Sequence, residues 1–157
     1  MEISVRNRQK TTKINLLRIK KTASRTLKHL VQKNNSLKNR AGRLELSVML
    51  VNNRIIKSLN RDYRGIDKVT DVLSFPQNDP FYFSKNSGLP IHLGDIVISI
   101  PKAKAQALEN CVSFYEELSR LLVHGLLHLL GYDHEDGRHK ALKMRRREKE
   151  LMEILCR

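Results

Sequence analysis

The sequence predicts an α+β fold, a small mixed β-sheet packed against several helices, with a candidate metal site on a central apolar helix. Three observations carry this. LELSVMLV (44–51) and GDIVISI (94–100) have the alternation and β-branched content of strands. Apolar residues recur at helical spacing through 14–33, and residues 115–130 form a strongly apolar helix-length stretch. Strands and helices intermix along the chain, so the helices cover a sheet instead of forming a bundle.

The elements follow in order. ISVRN (3–7) reads as a short strand. The helix over 14–33 places Leu16, Leu17, Ala23, Leu27, Leu30 and Val31 on one face and Lys and Arg on the other. NNSLKNRAG (34–42) breaks it with Asn and Gly. After the strand at 44–51, Asn52 or Asn53 can cap a helix carrying Ile55, Ile56 and Leu59. VTDVLSFP (69–76) reads as a further strand stopped by Pro76, and a long polar loop runs to about residue 93. The strand 94–100 follows, and Pro101 suits the first turn of the next helix. Gly131 suits the C-terminal cap of the helix at 115–130. A basic amphipathic helix closes the chain from about 138 to 155, with Leu142, Leu151, Ile154 and Leu155 on its apolar side. The length, 157 residues, suits a single domain over 1–157 with a core that needs no staples.

Charge is unevenly spread. The net formal charge is +14. Residues 1–40 hold twelve Lys or Arg against Glu2 alone, and residues 137–157 hold eight against three acids. The stretch between them carries ten bases and twelve acids, so it is close to neutral. Two basic ends around a balanced centre suit a polyanion, of which nucleic acid is the commonest. MEISVRNRQK lacks an apolar leader, and LLVHGLLHLLGY falls short of the roughly 20 apolar residues of a membrane span. Cys111 and Cys156 are far apart without a CxxC pattern, which suits reduced thiols. A cytoplasmic protein without a membrane partner is expected.

Chemistry concentrates in VHGLLHLLGYDHEDG (123–137). His124 and His128 are four apart on one helix, so their rings project from one face, a turn apart. Gly131 lets the chain turn back, and His134 arrives three residues later as a third nitrogen donor. Three imidazoles leave one position of a tetrahedral zinc open, the arrangement of a catalytic site, although Ni, Co and Cu suit the same donors. The spacing H-x3-H-x2-G-x2-H is that of metzincin proteases, but Gly125 stands where those enzymes carry the general-base Glu. Gly125 implies either that a neighbouring backbone packs closely there or that space is kept for a substrate.

HGLLHLLGYDH (124–134) resembles the defining motif of the YbeY family, metal-dependent bacterial RNA endonucleases of ribosomal RNA maturation. LNRDYRGIDKVTDVLSFP (59–76) resembles a second block of that family, and LGDIVIS (93–99) a third, in the family's order. The resemblance spans roughly residues 44 to 134. It implies metal ligands at His124, His128 and His134, a functional arginine at Arg64, and a zinc helix facing the sheet across a cleft. It also implies cleavage of single-stranded rRNA regions, the 3′ end of 16S rRNA among them, with a ribosomal subunit or ribosomal protein as partner. One departure is the last helix, where GRHKALKMRRREKE (137–150) stands in place of the family's several acids.

The residues fit such chemistry. Arg64 can meet a phosphate with its planar fork, and could instead be a surface arginine pairing Asp62 or Asp67. Asp71, Asp95 and Asp133 are candidates for orienting a histidine or for purely structural bonds. His92 reads as a loop residue, and His29 and His139 as surface residues of basic helices. No general base is assigned, so activated water and the RNA's own 2′-OH both stay open as nucleophile. Two other functions stay open. A ribosome-associated RNA-binding factor with structural zinc would need a fourth ligand, for which Cys111 and Cys156 are the only thiols. A metzincin-like peptidase would need a carboxylate from elsewhere.

Overall fold

The structure, a computed structural model, describes residues 1–39, 41–77, 90–132 and 137–156. Its strands are β1 (Glu2–Asn7), β2 (Leu44–Val51), β3 (Val72–Pro76) and β4 (Ile91–Ser99). Its helices are α1 (Leu16–Gln32), the short α2 (Asn35–Lys38), α3 (Asn53–Arg64), α4 (Ile100–Glu109), α5 (Phe114–Leu129) and α6 (Arg138–Cys156). The fold is α+β with a mixed sheet, as the intermixed strands and helices predict, and the strand order is β1-β2-β4-β3. β1, β2 and β4 run parallel, while β3 pairs antiparallel with β4 at an edge.

Local chemistry sets the helix starts. Asn15, Asn52, Ser99 and Ser113 each accept a backbone N–H three residues ahead, from Arg18, Ile55, Lys102 and Glu116. These bonds satisfy donors that a helix start leaves orphaned. Of the two asparagines proposed for α3, Asn52 is the cap. The Ser99 hydroxyl also donates to Asn53 at 2.7 Å, tying the start of α4 to the start of α3.

The sheet is covered on both faces. Alternate residues of β2 (Leu44, Leu46, Val48, Leu50) join Ile96 and Ile98 of β4 in the main core, under α1, α5 and α6. On the other face, α3 lays Ile56 over Leu73 and Val97 in a smaller cluster. The segment 34–42, read as a break, contains a turn of helix because Leu37 is fully buried and anchors it. On α6 the buried apolar residues are Met144 and Leu151, whereas Leu142 is 56% exposed, so the helix is rotated from the face its leucines suggested. Among the described residues, no helix is long and apolar enough to cross a membrane.

Candidate active site

α5 is seated on the sheet through its glycine. A Cβ on Gly125 would lie 2.9 Å from Ile96 Cγ2 and 3.1 Å from Ser74 Oγ. The Ser74 hydroxyl donates to the Gly125 carbonyl at 3.2 Å, which pins the helix to edge strand β3. Gly125 is therefore explained by close packing, but against side chains of the sheet and not against the neighbouring backbone that the sequence suggested. A glutamate in its place would be driven into the core, so this position offers no peptidase carboxylate.

His124 and His128 lie away from that buried contact, with ring centroids 4.7 Å apart. Their Nε2 atoms approach to 3.1 Å. Two nitrogens held at ~2.0–2.1 Å by one tetrahedral ion are roughly 3.3 Å apart, so the pair has nearly the bite such an ion needs. His124 Nδ1 donates to Glu148 Oε1 of α6 at 2.8 Å. A carboxylate only accepts, so His124 Nδ1 carries a proton, and Nε2 is the atom turned toward His128. One turn before His124, Arg120 grips the buried Glu117 at 2.6 Å. Its pKa is raised, by the hydrogen bond to Glu117 first, with the charge of Glu148 adding to the effect.

The end of α5 is closed by a hydrogen-bonded turn. Gly131 has φ +82°, its N–H bonds His128 O at 3.0 Å, and Tyr132 N–H bonds Leu127 O at 3.0 Å. This pattern leaves helical carbonyls satisfied and needs a residue free of Cβ strain at position 131. The stop that the sequence suggested is thus built, and it brings Tyr132 beside the histidines. Asp133 and His134 lie outside the described residues. Among those described, no group of three or more His, Cys, Asp or Glu is placed to hold a metal ion.

The histidine pair opens into a cleft of about 760 Å³ along the free edge of β3. Arg64 and Tyr63, on the last turn of α3, also line this cleft, together with Asp71, Ser74 and Phe75, while Tyr132 lines it beside the histidines. Gly65, with φ +70°, ends α3 there, and Asn60 holds the following loop through Nδ2 to Lys68 O at 2.9 Å. Asp71 accepts from Gln106 Nε2 at 3.0 Å and from Val72 N at 2.8 Å. Burial works to raise its pKa, but these bonds and one from Thr70 outweigh it and hold the carboxyl below the usual range.

The structure thus brings Arg64, Asp71, His124 and His128 to one cleft. Asp95 is elsewhere. It alternates with Ile96, which meets Gly125, so Asp95 faces away from α5 and contacts Gln77 at 3.3 Å and His92 at 3.7 Å. The carboxylate that orients His124 is Glu148, which sequence reasoning did not single out. Its signal was present. Met144, Glu148 and Leu151 stand at i, i+4 and i+7, which puts an acid on the buried stripe of a basic helix. Cys111 and Cys156 are exposed, and neither lines the cleft, so no thiol closes the site.

Comparison with known proteins finds relatives along most of the chain. One family's sequence model, described as Endoribonuclease YbeY, matches residues 4–155. A Brevibacillus brevis protein named Endoribonuclease YbeY is 49% identical over 118 residues, covering 70% of this chain and 74% of that protein. One of the same name from Geobacillus thermodenitrificans is 44% identical over 129 residues, covering 80% and 83%. The solution structure of a Thermotoga maritima protein superposes with a TM-score of 0.61 at 27% identity, covering 96% of this chain and 87% of that one.

Proposed function

This chain belongs to the Endoribonuclease YbeY family and is an endoribonuclease, and we propose that it cleaves single-stranded ribosomal RNA in the cleft between Arg64 and the His124–His128 pair. The observation that carries the reading is the convergence of the two Nε2 atoms at 3.1 Å, with His124 already braced by Glu148. His134, by its spacing, is the third donor to one zinc ion. When bound, that ion supplies Lewis acidity at the scissile phosphate and makes nearby water more acidic.

The chain's own residues do the rest. Glu148 keeps the His124 proton on Nδ1, so Nε2 remains a donor to metal. Arg64 binds the phosphoryl oxygens and neutralises charge that grows as the phosphodiester is attacked. Ser74 and Gly125 hold the helix and the β3 edge together, which fixes the distance across the cleft. Asp71 remains ionised and tied to Gln106 and Val72, so it braces the cleft wall. The basic ends gather RNA backbone around this centre. We assign the whole of 1–157 to one such domain, acting in the cytoplasm beside a ribosomal subunit.

Purified protein incubated with labelled single-stranded rRNA fragments tests this. We expect cleavage that a chelator abolishes and zinc restores, that His128→Ala lacks, and that Arg64→Ala slows by about 10²–10³-fold, as loss of one charge-stabilising donor does. Cleavage that persists in chelator would contradict a metal-dependent centre at the histidine pair. A 2′,3′-cyclic phosphate on the product would exclude water as the nucleophile.

A further inference from the structure

Five aromatic residues lie among those described, and three of them, Tyr63, Phe75 and Tyr132, line the one cleft that holds the histidines. The other two, Phe114 and Tyr115, pair with each other at the opposite end of α5. Tyr63 is 71% exposed, the most exposed of the large hydrophobics after Leu108. It is nevertheless held in place. Phe75 meets it edge-on with ring centroids 5.1 Å apart and planes at 63°. Phe75 in turn belongs to β3 and packs on the α3 side of the sheet. In the same cleft Tyr132 is fixed by the turn after α5, and Lys143 of α6 lies 5.8 Å from its ring centroid.

Single exposed rings are common on protein surfaces, but this one is held against a second ring inside the cleft, with its outer face open. The sequence neighbour of Tyr63 is Arg64, and both line the cleft. A guanidinium for phosphate and a flat ring one residue away match the repeat of a nucleotide, in which a base hangs from each backbone phosphate. The volume, about 760 Å³, also lies in the range of sites that enclose a molecule of nucleotide size.

We propose that Tyr63, backed by Phe75, is a base-stacking subsite that takes the unpaired nucleobase next to the scissile phosphate. The inference rests on the endoribonuclease reading above and adds the reason for single-strand preference. A base in a duplex has both faces stacked and cannot swing out onto the ring, whereas a single-stranded base can. Every base has a π face, so the subsite selects for strandedness and tolerates sequence. Stacking is also separate from charge. Arg64 sets salt dependence and Tyr63 does not.

The test uses the full chain and a short single-stranded RNA carrying one 2-aminopurine, whose fluorescence is quenched on stacking. We expect wild-type protein to quench the probe and bind it. Tyr63→Ala should weaken binding by roughly 5- to 150-fold, the span seen when stacked aromatics are truncated. Tyr63→Phe should restore it, since the ring is kept and only the hydroxyl is lost. The slope of log affinity against log salt should be unchanged by Tyr63→Ala and should fall by about one in Arg64→Ala. Melting temperatures of the Tyr63 variants should match wild type, because the side chain is exposed. Wild-type-like binding by Tyr63→Ala, or equal weakening of a duplex of the same length, overturns the subsite while leaving the nuclease intact. Failure of the wild type to bind or cleave single-stranded RNA overturns the nuclease reading itself.

Discussion

α6 makes two histidine–glutamate contacts two residues apart, and they are built differently. Glu148 accepts from His124 Nδ1 at 2.8 Å, with side chains 18% and 24% exposed. Glu150 stands 3.6 Å from His29 Nε2, and that nitrogen has no hydrogen-bond partner among the described residues. Lys33 and Arg147, each at 2.5 Å, hold Glu150 instead. They depress its pKa from 4.5 to about 2, the Lys33 hydrogen bond first. One carboxylate is saturated by cations and clasps α1 to α6. The other orients an imidazole whose second nitrogen faces a neighbouring imidazole. The same pair of residue types serves the fold in one place and, on the function proposed above, the chemistry in the other.

Substituting the two acids separates these roles. Glu148→Gln keeps the shape but loses the charge that fixes the His124 tautomer. We expect a 10- to 100-fold loss of metal affinity or of RNA cleavage, the usual range for partners of ligating histidines, with little change in melting temperature. Wild-type metal affinity and cleavage in this variant would make Glu148 a mere neighbour, no different from Glu150.

Gly125→Ala asks how far the site depends on the seating of α5. Overpacking against Ile96 and Ser74 costs about 1–3 kcal/mol. Replacing glycine within a helix returns about 1 kcal/mol, so a net loss near 1 kcal/mol is expected in denaturant titration. Cleavage should fall as well, because the histidines ride on the displaced helix. A stabilised, fully active variant would show that the contact with the sheet is loose.

Glu150→Gln should have the smallest effect. Glu150 is 36% exposed at its side chain, so its ion pairs contribute under about 1 kcal/mol. Its folded pKa lies below the unfolded value, so this stability is present above about pH 4.5 and disappears as pH falls toward about 2. The wild-type advantage over Glu150→Gln, measured by thermal melts across that window, should shrink with acidity while cleavage at neutral pH stays equal.

The contrast between the two acids also explains what the sequence made legible. β2 coincides with the alternating stretch LELSVMLV because Asn52 caps the next helix and stops the strand sharply. The histidine pair, the turn at Gly131 and the cleft arginine follow from spacing and from whole motifs, since i and i+4 share a face of any helix. Glu148 was hidden because α6 was oriented by its leucines. Leu142 is solvent-exposed, and the buried stripe runs through Met144 and Leu151. Asp95 looked suitable by its place at a strand start. The pleat, which depends on register with β3, turns it away from α5. Strand order and sheet face arise from tertiary pairing, and a local pattern does not encode them.

X-ray absorption at the zinc edge, on the zinc-loaded full chain, tests the imidazole site most directly. One ion per chain, with only nitrogen and oxygen neighbours at ~2.0–2.1 Å and an imidazole scattering pattern that His124→Ala diminishes, is the expected result. A sulfur neighbour at ~2.3 Å, or no retained ion, would contradict it.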